Sequence, residues 1–93
     1  MERDLKEFLI ELRDNNSAFD INGYFGSGDF ADDYDEYEKK IKYKSQLEVL
    51  SFLNEEFYSI DVDYYDSPDF EERVFKTLDR AIEMLAMQEL AIL

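Results

Sequence analysis

Charge, and its distribution along the chain, most limits how this protein can fold. The 93 residues carry 24 Asp and Glu against 10 Lys and Arg, a formal net charge of −14. Eight carboxylates lie from Asp14 to Glu38 and eight more from Glu55 to Glu72, and neither stretch contains a Lys or Arg. Self-repulsion of this size lowers folding stability at low salt and speeds association with positive partners. It also argues against direct binding to nucleic acid or to an anionic membrane.

Composition places the chain among small globular domains. Hydrophobic residues make up 45% of the sequence, which predicts one folded domain over residues 1–93. The chain has no Cys and no His, so thiolate chemistry, the commonest general base and the commonest transition-metal ligand are all missing. No apolar run has membrane-spanning length, and the N-terminus lacks the plan of a signal peptide. We therefore expect a cytoplasmic protein without a cofactor that is not an enzyme.

Three segments have the apolar spacing that is typical of amphipathic helices. The first covers roughly residues 2–14, and the second, about 46–57, follows a capping box from Ser45 to Glu48. The third begins at 67–69, "SPD", with a Ser cap, a Pro in the first turn and an acid at the positive end of the helix dipole, and it runs to about residue 90. Its predicted buried stripe consists of Phe70, Val74, Leu78, Ile82 and Leu85.

Three other segments predict β-structure. Asn22-Gly23 favours a type I′ turn and hence a short hairpin, while "KIKYK" (40–44) and "YSIDVDYY" (58–65) alternate with the period of a strand. Residues 30–38 fit a short helix, and one unbroken helix over 33–57 is the alternative to a helix, a strand and a helix. The expected fold class is α+β, a short sheet of two to four strands with three helices packed on it.

Several arrangements of carboxylates could carry chemistry, and each has a simpler explanation. An EF-hand loop with Gly23 at its sixth position would begin at Ala18 and end at Asp29, so two important calcium ligands are wrong. The pairs Asp61/Asp63 and Glu55/Glu56 lack any accompanying catalytic motif. Lysines 40, 42 and 44 are expected to protect a strand edge or to pair with the two Asp across the sheet.

A mixed surface of acids and tyrosines is the stronger functional candidate. Duplex DNA carries about one negative charge per 1.7 Å of axis, and a protein that fixes carboxylates at similar density can occupy a groove built for DNA. Carboxylates three or four residues apart on a helix lie on one face, about 5–6 Å apart at Cβ. Tyrosines add rigid area and ring faces for Arg side chains. The alternative is a merely solvating surface with half-buried tyrosines. The candidate partner-binding residues are Asp29, Asp32, Asp33, Tyr34, Asp35, Glu36, Tyr37, Glu38, Asp61, Asp63, Tyr65, Asp66, Asp69 and Glu72.

No motif assigns the chain to a family. The six residues "DYYDSP" (63–68) resemble the Tyr-Tyr and Asp-Ser-Pro elements of colicin DNase immunity proteins, but no residue role is carried over, because the rest of the chain predicts strands as well as helices. In overall kind the chain is similar to small acidic inhibitors from phages and mobile elements, such as anti-CRISPR and antirestriction proteins.

The leading hypothesis is a DNA-mimicking inhibitor of a basic, nucleic-acid-handling protein. An immunity protein that neutralises a nuclease toxin is the first alternative. The second is a structural or regulatory interaction module, with a homodimer formed through the apolar C-terminal segment "AIEMLAMQELAIL".

Overall fold

The fold is a bundle of α-helices. The computed structural model describes residues 4–39, 46–63 and 68–92, and no strand occurs in these ranges. The predicted α+β class with a short sheet is therefore wrong. Five helices make up the described chain: α1 (Leu5–Asn15), α2 (Ala18–Phe25), α3 (Gly28–Lys39), α4 (Leu47–Val62) and α5 (Phe70–Ile92).

Helix α2 replaces the predicted hairpin. The Ser17 hydroxyl accepts a hydrogen bond from the backbone N–H of Asp20 at 3.2 Å, which caps the helix start. Ala18, Ile21 and Phe25 then fall on one buried face. A type I′ turn at Asn22-Gly23 needs positive φ at both residues, and no described residue has it. Burial of three apolar side chains thus outweighs a two-residue turn preference, and the same helix excludes an EF-hand loop.

Helix α4 occupies the first five residues, 58–62, of the segment predicted as the strand "YSIDVDYY". The alternation in "YSIDVDYY" predicts that Tyr58, Ile60 and Val62 share one face. In the structure Ile60 is 1% exposed, whereas Tyr58 is 73% and Val62 64% exposed. The buried set is Leu50, Leu53, Phe57 and Ile60, with the helical spacing that continues from the preceding turns. The helical spacing of apolar residues, and not the short alternating pattern, therefore determines the structure of this segment.

The remaining predictions for the fold have mixed outcomes. Helices near 2–14, 30–38 and from 70 onward are confirmed, and the buried stripe of α5 includes Val74, Leu78 and Leu85. The "KIKYK" strand, the lysine cluster and the Ser45 cap lie outside the described residues, as does the junction that would test an unbroken 33–57 helix. Most of "DYYDSP" also lies outside them.

Helix α5 is the central element of the bundle. It packs against α1, α2 and α4, while α3 packs against α2 and α4. Two ion pairs link α1 to α5: Lys6 Nζ to Glu89 at 2.7 Å and Arg13 Nη1 to Asp79 at 3.0 Å. The hydrogen bond to Glu89 raises the pKa of Lys6, and the hydrogen bonds to Asp14 and Asp79 raise the pKa of Arg13. These cations are thus engaged within the fold.

An aromatic cluster joins α2, α3 and α4. The rings of Phe25 and Phe57 stack with centroids 4.1 Å apart and planes 10° from parallel. Phe30 of α3 meets Phe25 edge to face at 4.9 Å. This cluster fixes α3 against the bundle. None of the described helices is long and apolar enough to cross a membrane.

Candidate partner-binding surface

The outward half of α3 is almost entirely acidic. Asp29, Asp32, Asp35 and Glu38 are all exposed, and within the described structure none of them forms an ion pair or hydrogen bond. Their backbone directions span about 180° of the helix circumference, from 100° per residue. Lys39, in the last turn, is the one cation of this helix. We call these four carboxylates the acidic face.

Asp33 and Tyr34 face inward rather than toward a partner. Asp33 is half-buried and accepts a hydrogen bond from the Tyr24 hydroxyl at 2.6 Å. Tyr34 is half-buried and lies edge to face against Phe30, with centroids 6.1 Å apart. Glu36 is half-buried and engaged in an interaction. The side chain of Tyr37 lies outside the described structure.

The candidates in the second base-free stretch are largely taken up within the fold. Asp63 pairs with Arg73 at 3.5 Å, which ties the end of α4 to α5. Glu72 pairs with Lys76 at 2.8 Å, and this hydrogen bond raises the pKa of Lys76. Asp69 also has an interaction of its own. Tyr65 and Asp66 lie outside the described residues. The strand that would have placed Asp61 and Asp63 opposite the lysines is absent, since Asp61 lies in α4 and Asp63 follows its last residue, Val62. The lysines themselves lie outside the described residues.

Asp61, in the second base-free stretch, lines a cleft that lies beside a cleft lined by α3. Two clefts, of about 280 and 210 Å³, lie between the α2–α3 corner and α4. Both are lined by Phe25, Gly26 and Asn54, so the two clefts adjoin, and together they are here named the α3–α4 groove. Asp35 lines the cleft on the α3 side, and Asp61 lines the other.

Sequence reasoning missed most of this groove. Asn54 is a neutral residue without a motif. Tyr58 was predicted to share a strand face with Ile60, although Tyr58 is 73% exposed and Ile60 1% exposed. Helical periodicity from Leu50 onward could have placed both on the outer side of α4. The contribution of Phe25 and Gly26 depends on the turn from α2 into α3, which no sequence pattern predicted.

The other candidate chemistries receive no support from the geometry. Among the residues that the structure describes, no three Asp or Glu converge closely enough to hold a metal ion. Glu55 and Glu56 are adjacent and exposed on α4, and no described cleft contains either. A third cleft, of about 510 Å³, lies between the starts of α2 and α5 and is lined by Phe19, Phe70 and Phe75 with Glu71 as its one carboxylate.

Comparison with protein-family models, with curated proteins and with solved structures finds no match. The fold and the surface thus define a small helical protein with an acidic face on one helix and an aromatic groove beside it. Any function must be argued from these two features.

Proposed function

We propose that this chain is a non-enzymatic inhibitor that binds a basic, nucleic-acid-handling protein in place of DNA, as antirestriction and anti-CRISPR proteins of the DNA-mimic type do. The observation that carries the proposal is the acidic face. It presents carboxylates that no cation of the described structure neutralises. A merely solvating surface would not need to leave all four of these carboxylates without a described ion pair.

The spacing of the charges supports mimicry of a phosphate backbone. From Asp29 to Glu38 the helix rises about 13.5 Å, so neighbouring carboxylates are about 4.5 Å apart along its axis. One strand of B-DNA carries a phosphate about every 3.4 Å. The two densities are similar enough for a groove that binds phosphates with Lys and Arg to accept the acidic face.

The rigidity of α3 supports the same proposal. The Tyr24–Asp33 hydrogen bond and the Phe25–Phe30 contact hold the inner side of the helix. The backbone positions of the outer carboxylates are thus set before binding, which lowers the ordering cost of association. A disordered acidic segment would instead lose conformational entropy when it binds.

Competition with DNA tests the proposal. The immobilised protein is exposed to lysate of its native host, and retained proteins are eluted either by rising salt or by a short DNA duplex. We expect nucleic-acid-binding proteins to be retained at about 50 mM salt, to be released by about 200 mM, and to be displaced by the duplex. The purified target should lose DNA binding when the chain is added.

A charge-matched pair of variants makes the test specific to α3. One variant neutralises the acidic face as D29N/D32N/D35N/E38Q. The control neutralises four exposed carboxylates that likewise form no described ion pair or side-chain hydrogen bond, as D4N/E7Q/E48Q/E71Q. We expect the first to weaken target binding at least tenfold and the control less than threefold. Equal effects of the two variants, or binding that leaves the target free to bind DNA, would contradict the proposal.

A further inference from the structure

We propose that the cleft of about 280 Å³ on the α3 side of the groove receives one arginine side chain from the DNA-binding surface of the partner. We name it the Asp35 cleft, because Asp35 is the one charged residue among the described residues that line it. This inference rests on the proposed function and deepens it, since it assigns one side chain of the partner to one position on this chain.

The Asp35 cleft has the size and the apolar lining for a single long side chain. Phe25 and Phe30 line it with only 8% and 5% of their surfaces exposed, and their rings meet edge to face at 4.9 Å. Ala31, which also lines the cleft, is exposed and adds only a methyl group. The volume lies just below the roughly 300–1,000 Å³ that small-molecule sites occupy. The cleft therefore suits the apolar stem of one extended side chain.

The polar residues of the cleft offer hydrogen-bond acceptors. Asp35 is exposed and forms no ion pair or hydrogen bond within the described part of the chain. The Asn54 side chain, on α4, likewise has no described partner. The Ser27 hydroxyl donates to the Tyr24 carbonyl oxygen at 2.7 Å, so only its acceptor capacity is left for a ligand. A carboxylate that is accompanied by neutral acceptors, with no described Lys or Arg in the lining, suits a positively charged donor.

Tyr34 makes arginine a better occupant than lysine. Its half-buried ring lies edge to face against Phe30, with centroids 6.1 Å apart, and it lines the cleft next to Asp35. The planar guanidinium stacks on aromatic rings, and its N–H donors can be shared between a carboxylate and a second acceptor. The ammonium of lysine is more strongly hydrated and acts as a point charge. A protein that binds DNA phosphates presents arginines for that purpose, so the proposed partner carries the required side chain.

Asp35 belongs to both the acidic face and the cleft. The four carboxylates of the acidic face repeat every three residues, so charge alone would allow a partner to bind α3 in several registers. Asp35 is the one member of the four that lines a described cleft. An arginine bound there fixes the register of the partner, while its other cations meet Asp29, Asp32 and Glu38.

A minimal peptide with one arginine tests the inference. The probe is acetyl-GGRGG-amide, titrated into ¹⁵N-labelled protein at about 20 mM salt, where screening is weak, and followed by ¹H–¹⁵N NMR. We expect saturable shifts of the Ser27 and Ala31 backbone amides and of the Asn54 side-chain amide. The lysine peptide acetyl-GGKGG-amide has the same charge, and we expect it to bind at least about fivefold more weakly.

Two pairs of matched variants locate the site. D35N removes the carboxylate of the cleft, and D20N makes the same substitution at an exposed aspartate of α2 that lines none of the described clefts. A31L fills the cleft without a change of charge, and S51L adds the same side chain at an exposed position of α4 outside it. We expect D35N and A31L to weaken binding of the arginine peptide at least about fivefold, and D20N and S51L less than about twofold. NMR spectra establish that each variant is folded before binding is compared.

Equal binding of the arginine and lysine peptides would overturn the inference, as would equal effects within either pair of variants. Equal binding of the neutral citrulline peptide would also overturn it, because the occupant would then be uncharged. Shifts of the same amides that depend on protein concentration alone would identify a second copy of the chain as the occupant instead.

The cleft and the DNA-mimic proposal can fail separately. The variant D29N/D32N/E38Q leaves Asp35 and the cleft unaltered, whereas A31L leaves all four carboxylates of the acidic face in place. If only D29N/D32N/E38Q weakens target binding, the inference is wrong and the proposed function stands without the cleft. If only A31L weakens it, the cleft anchors the partner and the DNA-mimic proposal fails.

Discussion

Tyr24 joins the core to the acidic helix by both a ring contact and a hydrogen bond. Its ring lies edge to face against Phe8, Phe25 and Phe30, with centroids 5.0 to 5.9 Å away. Its hydroxyl donates to Asp33 at 2.6 Å. One side chain thus uses apolar area to join α1, α2 and α3 and a polar tip to fix a carboxylate. Asp33, predicted as a partner-binding residue, is thus half-buried and hydrogen-bonded within the fold.

Removal of that hydroxyl should destabilise the protein without a change of shape. We expect Y24F to lower the free energy of unfolding by about 1–3 kcal/mol, because a half-buried carboxylate loses its donor. Urea denaturation followed by circular dichroism measures the loss. The control is Y58F, since the Tyr58 hydroxyl is exposed and has no described partner, and its expected change is within about 0.5 kcal/mol. Equal losses for the two variants would show that the Asp33 hydrogen bond contributes nothing.

At the scale of an element, α2 shows how two local signals can conflict. Ser17 and Asp20 have the spacing of a helix start, whereas Asn22-Gly23 has the sequence of a hairpin turn. Each signal is worth about 1 kcal/mol or less. Burial of Ile21 and Phe25 contributes about 1.5–3 kcal/mol for each side chain. Burial therefore decides the element, and these two side chains become buried only when α4 and α5 are in place.

The conformation of Gly23 can be tested by a single substitution. It lies inside α2 with φ that is not positive, and a Cβ placed there would meet nothing within 4 Å. We expect G23A to raise the free energy of unfolding by about 0.5–1 kcal/mol, because alanine loses less backbone entropy in a helix. A31G, at an exposed position of α3, should lower it by a similar amount. Chemical denaturation measures both changes, and destabilisation by G23A would indicate the hairpin that the sequence predicted.

At the scale of the whole molecule, net charge opposes the fold that the core stabilises. The net charge of −14 acts over a radius of gyration of 13.1 Å, and the described ion pairs bind only a minority of the 24 acids. Exposed ion pairs contribute about 0–1 kcal/mol each, and they are screened by the same salt that relieves repulsion. Because repulsive pairs far outnumber attractive ones, screening should stabilise the protein.

The thermal midpoint should therefore rise with ionic strength. We expect the midpoint to be higher at about 200 mM NaCl than at about 10 mM. Each kcal/mol of repulsion that salt relieves should raise it by about 4–8 °C. Differential scanning calorimetry measures it. The variant D29N/D32N/D35N/E38Q should have a higher midpoint than the unaltered chain at low salt and a smaller rise with salt. A midpoint that falls as salt is added would mean that the ion pairs from α1 to α5 outweigh the repulsion.

Most of the helices were predictable, and the tertiary arrangement was not. Apolar spacing located α1 and α5, since both bury one continuous stripe along their length. The same spacing continues through Leu53, Phe57 and Ile60, but a short alternating pattern obscured it. Among the site residues, the acidity and exposure of Asp29, Asp32, Asp35 and Glu38 followed from residue type alone. Asp63 and Glu72 did not turn out free. The Glu72–Lys76 pair has the i,i+4 spacing of a single helix, whereas Asp63 meets Arg73 only because the end of α4 packs beside α5.

Residue types and their order are sufficient to establish the charge of the surface, the lack of thiol and imidazole chemistry, and the helical stripes that bury Leu5, Leu9, Val74 and Leu78. These properties are local, since each depends on side chains within a few turns of one another. Packing decided the rest: that Asn22-Gly23 is helical, that Tyr34 is half-buried, and that Asp35 and Asp61, 26 positions apart, line adjoining clefts that share Phe25. Such properties depend on contacts between distant segments, whose burial energies exceed the local preferences of the chain.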